Sequence, residues 1–126
     1  MSETNKRMMI LIAGPYRSGT GDDPAKMAAN LHRLEEASWP IFEAGHVPMI
    51  GEWVALPVWN AAGGGAVGDS LYDHIFHPTA GRLIERCDAI LRLEGASTGA
   101  DNDVRLANER GIPVYYRIED IPVYRA

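Results

Sequence analysis

An unbroken apolar run, Met9-Ile10-Leu11-Ile12-Ala13, passes directly into Gly14-Pro15-Tyr16-Arg17-Ser18-Gly19-Thr20-Gly21. Residues 8 to 13 show no polar alternation, which predicts a strand buried on both faces, as in a parallel sheet. The glycines after it let backbone approach a ligand closely. A helical pattern follows, and the free N–H groups of a helix start favour negative charge. Strand, turn and helix together read as the beginning of an α/β fold with an anionic-ligand site.

The rest of the chain repeats that unit. Residues 25 to 44 carry Met27, Leu31, Leu34, Ala37, Trp39 and Ile41 at helical spacing, with Asp23 as N-cap, Pro24 at the first position and Gly45 as the stop. Pro40 is expected to kink or shorten the last turn. Residues 46 to 50 read as a short strand, placed at an edge or strand end by Pro48. Residues 51 to 70, with Gly63-Gly64-Gly65 and Gly68, read as irregular: a lid or binding loop, or a disordered insertion. Leu71 to Arg86 is helical, with Leu71, Ile75, Leu83 and Ile84 toward the core and a break expected at Pro78. Residues 87 to 93 form a third buried strand. A Ser/Thr/Gly loop spans 95 to 99, and a helix from Asp101 to Glu109, capped by Asp101 or Asn102, stops at Gly111. Residues 112 to 116 form a fourth strand. The predicted fold is a single-domain, three-layer α/β sandwich, with a mainly parallel Rossmann-like (flavodoxin-like) sheet of four or five strands. The polar loops 14 to 21 and 94 to 101 both fall at carboxyl ends of strands, where such sheets bind ligands.

Composition narrows the partners. The 126 residues carry a formal net charge of -5, with the twelve Lys and Arg scattered, so no basic nucleic-acid footprint is present. No window approaches transmembrane length, and the apolar run after Lys6-Arg7 is too short for a signal peptide. The expected setting is cytoplasmic, without membrane partners. A lone Cys87 excludes an internal disulfide and a cysteine metal cluster, and its place before an apolar strand reads as a buried, inert thiol.

Familiar nucleotide motifs fail here. Residues 14 to 21 lack the Gly-Lys-Ser/Thr ending of an ATPase phosphate loop and the spacing of a dinucleotide fingerprint. His74 and His77 form only a weak candidate metal pair, so no metal site is expected. Ser97-Thr98-Gly99 precedes a helix start and either caps that helix or binds a phosphate. Asp101 and Asp103 straddle the same start, and Asp103, at the second or third helical position, faces the cleft as a candidate nucleophile or general base. Asp88, at the head of a buried strand, reads as a capping or pairing group or as a catalytic acid.

Three segments in order, the strand ending in Ala13-Gly14-Pro15-Tyr16, then Gly45-His46-Val47-Pro48, then Cys87-Asp88-Ala89-Ile90, resemble the nucleoside 2-deoxyribosyltransferase-like superfamily. Gly95 through Val114 is similar to that family's last conserved unit, and the resemblance covers most of the chain outside residues 51 to 76. The family contains transferases that move deoxyribose between bases and hydrolases that cleave the N-glycosidic bond of nucleoside 5'-monophosphates. The resemblance implies that Asp103 stands where the family places a nucleophilic glutamate, and that Ser97 holds a 5'-phosphate. It further implies a phosphate cradle of Arg17, Ser18 and Gly19 with Thr98 and the N–H groups of Gly99 and Ala100. Gly14 would then admit the sugar, Tyr16 would border sugar or base, and Asp88 would match a semi-conserved acid.

Two positions depart from the family pattern. Asp103 is one methylene shorter than glutamate, so its oxygen stops about 1.5 Å short, a misplacement that can cost roughly 10²-fold in rate. The acid that helps protonate the leaving base is replaced by Ala80, with Asp73 or His77 as substitutes. The implied reaction is release of the base from a nucleoside or deoxynucleoside 5'-monophosphate, Asp103 attacking or stabilising the anomeric carbon. No metal or organic cofactor is implied. Deoxyribosyl transfer and non-catalytic nucleotide binding are the alternatives. A homodimer or larger homo-oligomer is implied as well, with Trp53, Trp59, Tyr72 and Phe76 as interface or base-stacking groups.

Overall fold

The computed structural model describes residues 2–126 and centres on a strand β2, Met9–Ala13, preceded by a short β1, Glu3–Thr4. Helices α1 (Pro24–Glu36) and α2 (Ser38–Glu43) lead to β3 (Val47–Met49). Helices α3 (Gly51–Ala61) and α4 (Ser70–Ile84) lead to β4 (Ala89–Arg92), and α5 (Thr98–Arg110) leads to β5 (Val114–Tyr115). A single 3-10 turn, Ile118–Asp120, precedes β6, Val123–Tyr124. The main sheet has the order β3-β2-β4-β5 with every pair parallel, while β1 and β6 pair in parallel as a separate ribbon. This is the expected three-layer α/β sandwich with a Rossmann-like sheet.

Both faces of β2 are covered, which explains its unbroken apolar sequence. Ile10 and Ile12 face α1 and α2 in a cluster with Leu34, Ala37, Ile41 and Leu91. Leu11 and Ala13 face the other layer, with Ile84, Ile90, Ala100 and Ala107. A third cluster, Ala55, Trp59, Tyr72 and Ile75, joins α3 to α4 beside the sheet. Pro48 does sit on the edge strand β3. Cys87 is buried, and burial followed by the neighbouring Asp88 charge pushes its thiol up to about 11, so it is chemically quiet at neutral pH.

Asp23 caps α1 as expected, accepting from the Ala25 N–H at 3.2 Å with Pro24 at the first helical position. Prolines account for most of the departures. The single helix expected over 25 to 44 is two helices divided at Ala37. Pro40 is the third residue of α2, where the missing N–H would have had no intrahelical partner. Residues 51 to 61 are helix α3 rather than loop, so only 62 to 69 remain irregular in the expected 51 to 70 segment. Ala55 and Trp59 anchor that helix against Tyr72 and Ile75. Helix α4 runs unbroken through Pro78. In both helices the carbonyl four residues before the proline belongs to an exposed residue, Trp53 or His74, so water can satisfy it and the helix survives.

The C-terminal segment is tied down through His46, which is 2% exposed. Its Nδ1 accepts the Met8 N–H at 3.0 Å, which leaves Nε2 as the donor to the Pro122 carbonyl at 2.6 Å. One neutral tautomer therefore satisfies a buried N–H and a partly buried carbonyl.

Candidate active site

The strand order β3-β2-β4-β5 reverses direction of progress at β2, and chain crossovers leave β2 on opposite faces there. A crevice opens at that point beyond the carboxyl ends of β2 and β4. It holds a cavity of about 220 Å³, floored by Leu11, Ile12 and Ala13. The turn after β2 contributes Gly14, Tyr16, Arg17 and Ser18. The loop and helix after β4 contribute Ser97, Gly99, Ala100 and Asp103. The two polar loops expected to converge do so.

Gly14 has a different reason for being glycine than sugar approach. A Cβ there would stand 2.9 Å from Leu34 Cδ2 and 3.3 Å from Leu93 Cβ, so its side-chain face is filled by packing of α1 and the end of β4. Arg17 is also engaged: Nε and Nη2 donate to Asp22 at 2.7 and 3.3 Å, and the guanidinium lies 5.3 Å from the Tyr72 ring centroid. Its Nη1 has no protein partner among the described residues. Gly19 does not line the cavity. It takes a φ of +74° at the tip of the turn, with open space around it.

Helix α5 starts earlier than expected, at Thr98, with Ser97 as its N-cap in place of Asp101 or Asn102. Ser97 Oγ accepts the Ala100 N–H at 3.1 Å, so Ala100 is not a free anion donor. The unbonded first-turn N–H groups are those of Thr98 and Gly99; of these two residues only Gly99 lines the cavity. Asp101 turns to Arg92, whose Nη2 donates to it at 2.9 Å and to the Gly95 carbonyl at 3.0 Å. With the helix beginning at 98, Asp103 is the sixth helical residue rather than the second or third, and it still faces the cavity.

Asp88 is the clearest misplacement. It precedes β4 at the amino end of the sheet, accepts the Met9 N–H at 2.9 Å and pairs with Lys6 at 3.1 Å. The Met9 N–H, against the opposing effect of burial, holds its carboxyl below the usual range, and Lys6 adds to the lowering. It is a structural clasp between β2 and β4, on the far side of the sheet from the cavity.

The unbroken α4 brings Tyr72, Asp73, Phe76, His77 and Ala80 onto one cavity-facing side. Asp73 and His77 stand at the exposed rim, His77 Nε2 lying 4.0 Å from Asp73 Oδ1. Ala80, where the resemblance implies an acid, does line the cavity. Tyr72 and Phe76 stack at 3.9 Å between centroids, giving the cavity an aromatic wall, while Trp59 meets Tyr72 edge-on. Trp59 and Tyr72 are thus interior groups, not an interface. Trp53 is exposed and donates to Glu35 at 2.8 Å.

Glu52 is the site residue that the sequence reading passed over. As the second residue of α3 it lies just beyond the carboxyl end of β3 and lines the same cavity as Asp103. Burial raises its carboxyl, opposed by its own backbone N–H. Asp103 is pushed up to about 7, first by burial and then by the Glu52 charge, with Arg92 pulling the other way. Burial and Glu52 also raise Tyr16. The signal was present: Ile50-Gly51-Glu52 ends a strand at the same sheet edge as residues 13 to 17 and 93 to 99.

The described residues contain no group of three or more His, Cys, Asp or Glu side chains placed to hold a metal ion. Among the same residues, no helix is long and apolar enough to cross a membrane. The fold and the crevice define an α/β protein of Rossmann-like architecture with a carboxylate-lined site at its switch point. Comparison with family models and with curated proteins finds no match.

Proposed function

We propose that this protein is a hydrolase that cleaves the N-glycosidic bond of a nucleoside or deoxynucleoside 5'-monophosphate. The observation that carries the reading is the placement of Asp103 in one cavity with the start of α5, where Ser97 and the Gly99 N–H face the same space. A helix start binds a phosphate, and a carboxylate one turn further along reaches the glycosidic bond of the attached sugar, as nucleophile or as acid. The Tyr72–Phe76 wall offers a flat apolar surface to a base. Water is the acceptor, and the reaction draws on no metal or organic cofactor.

Pairing of Arg17 with Asp22 favours a second reading. A guanidinium already neutralised is less suited to a dianionic phosphate, and a nucleoside 2-deoxyribosyltransferase, which takes a free 5'-hydroxyl, does not need one. A homodimer or larger assembly accompanies either reading, with the exposed Trp39–Phe42 stack as available apolar surface. The deciding experiment offers the protein the common ribo- and deoxyribonucleoside 5'-monophosphates and the matching nucleosides, with and without a second free base. Base and sugar phosphate appearing from monophosphates alone is the expected result. Exchange of base between nucleosides establishes transfer instead. Tight nucleotide binding with no base released over long incubation leaves a binding domain.

A further inference from the structure

Two half-buried carboxylates, Glu52 and Asp103, enter one cavity from different helices, and their settings differ. Glu52 is in the first turn of α3. That helix has Ile50 at its N-cap and no side-chain cap; the Trp53 N–H bonds the Ile50 carbonyl, and the Gly51 and Glu52 N–H groups ahead of it are open to a carboxylate. The helix start favours the anion there, against burial, which raises its carboxyl. Asp103 lies in the second turn of α5, past the reach of that helix's first N–H groups. It shares the cavity with apolar Leu11, Phe76 and Ala80. Neighbouring carboxylates in unlike environments divide into an acid and an anion.

We infer that Glu52 is the anionic carboxylate that meets the anomeric carbon and that Asp103 is the acid that protonates the departing base. The assignment rests on the N-glycosidase reading and divides its chemistry between two residues. It reverses the part that the resemblance implies for Asp103, and it removes the difficulty that Asp103 is short. It also supplies the proton for which the chain has only Ala80 at the family position. Asp73 and His77, at 57% and 69% side-chain exposure, stay in water at the rim.

The C1'–N bond breaks with its electron pair going to the base, whose nitrogen takes the Asp103 proton. A Glu52 oxygen bonds C1'. Water then attacks C1' as it gives a proton to the Asp103 carboxylate, and the C1'–O bond returns its pair to Glu52. Base and sugar phosphate leave, and both carboxylates regain their starting states.

The charged and titratable groups facing the pair are Tyr16 and Arg17 from the β2 turn, Tyr72, Asp73 and His77 from α4, and Arg92 from β4. Of these, Arg92 acts on Asp103 directly. Burial and the Glu52 charge hold the Asp103 proton up to about pH 7.

The test measures base release by the wild type, Asp103→Asn and Glu52→Gln from the common nucleoside 5'-monophosphates and from 7-methylguanosine 5'-monophosphate. The methylated base leaves without needing a proton. Asp103→Asn is expected to lose roughly 10²- to 10⁴-fold on ordinary nucleotides, the usual span for a general acid, and less than about tenfold on the methylated one. Glu52→Gln is expected to fail on both. Equal loss on both substrates by Asp103→Asn, with Glu52→Gln near wild type, would overturn the assignment. The pair is read independently by a carbon-NMR titration of the side-chain carboxyls. Asp103 should titrate near pH 7 and move down in Glu52→Gln; an Asp103 titrating with ordinary carboxylates, or unmoved by that substitution, overturns the coupling. Wild type that releases no base from any nucleotide overturns the N-glycosidase reading and the catalytic roles with it, whatever the titration shows.

Discussion

Replacing Asp103 with Asn should make the protein more stable, and increasingly so as the pH rises. In the unfolded chain the carboxyl ionises near 3.8, whereas in the fold it holds its proton up to about 7. Between those values the folded state binds more protons than the unfolded one, so stability falls with rising pH. The window spans about three pH units, which at about 1.4 kcal/mol each gives at most ~4 kcal/mol. Of this, ~2.5 kcal/mol falls between pH 5 and pH 8. Asparagine has the same shape and does not ionise, so the variant escapes that loss while sharing every other titration with the wild type. Urea unfolding followed by far-UV circular dichroism at pH 5, 6, 7 and 8 reads the difference. The gap should widen steadily and then level off above pH 7 to 8, with the variant's midpoint about 1 to 2 M higher at the top. Parallel stability profiles, or a variant that loses ground as the pH rises, would refute the raised carboxyl. Stability surrendered at one cavity carboxylate is the usual signature of a group held for function.

His46→Ala should leave the Met8 N–H and the Pro122 carbonyl unpaired, costing about 1–3 kcal/mol for the buried N–H and less for the partly buried carbonyl. Urea unfolding measures the total, and hydrogen exchange should accelerate at the Met8 amide first. Asp88→Asn should cost about 1–2 kcal/mol at neutral pH through the weakened bond from Met9. Because the folded Asp88 carboxyl is depressed, that difference should fade as the pH falls through its titration, and base release should match wild type at every pH.

Local chemistry made the sheet legible. The run Met9–Ala13 is apolar at every position because two helical layers cover it, and a strand with one wet face would have alternated. Asp23-Pro24 marked the start of α1, and Gly111 marked the end of α5, where it takes a φ of +73° that a side chain would oppose. The carboxyl-edge rule then brought Arg17, Ser18, Ser97 and Asp103 to one cavity without any knowledge of side-chain contacts. The same rule should have excluded Asp88. It stands before its strand rather than after it, so its reading as a catalytic acid and the part that the resemblance implied for it both fail on position.

Breaker residues made the rest illegible, since a proline's effect depends on where its orphaned carbonyl points. Pro57 and Pro78 free the carbonyls of exposed Trp53 and His74, and the buried faces of α3 and α4, with Trp59 against Tyr72, hold both helices together. Reading residues 51 to 61 as loop detached Glu52 from its strand and hid the second carboxylate. Its consequence for Asp103 is a property of neither residue alone, because a carboxyl's proton affinity is set by burial and by the charge across the cavity. Ala80 belongs to the same logic. A carboxylate there would compete with Asp103 for the role of proton donor, whereas an alanine keeps that wall apolar, and desolvation together with the Glu52 charge holds the proton on Asp103.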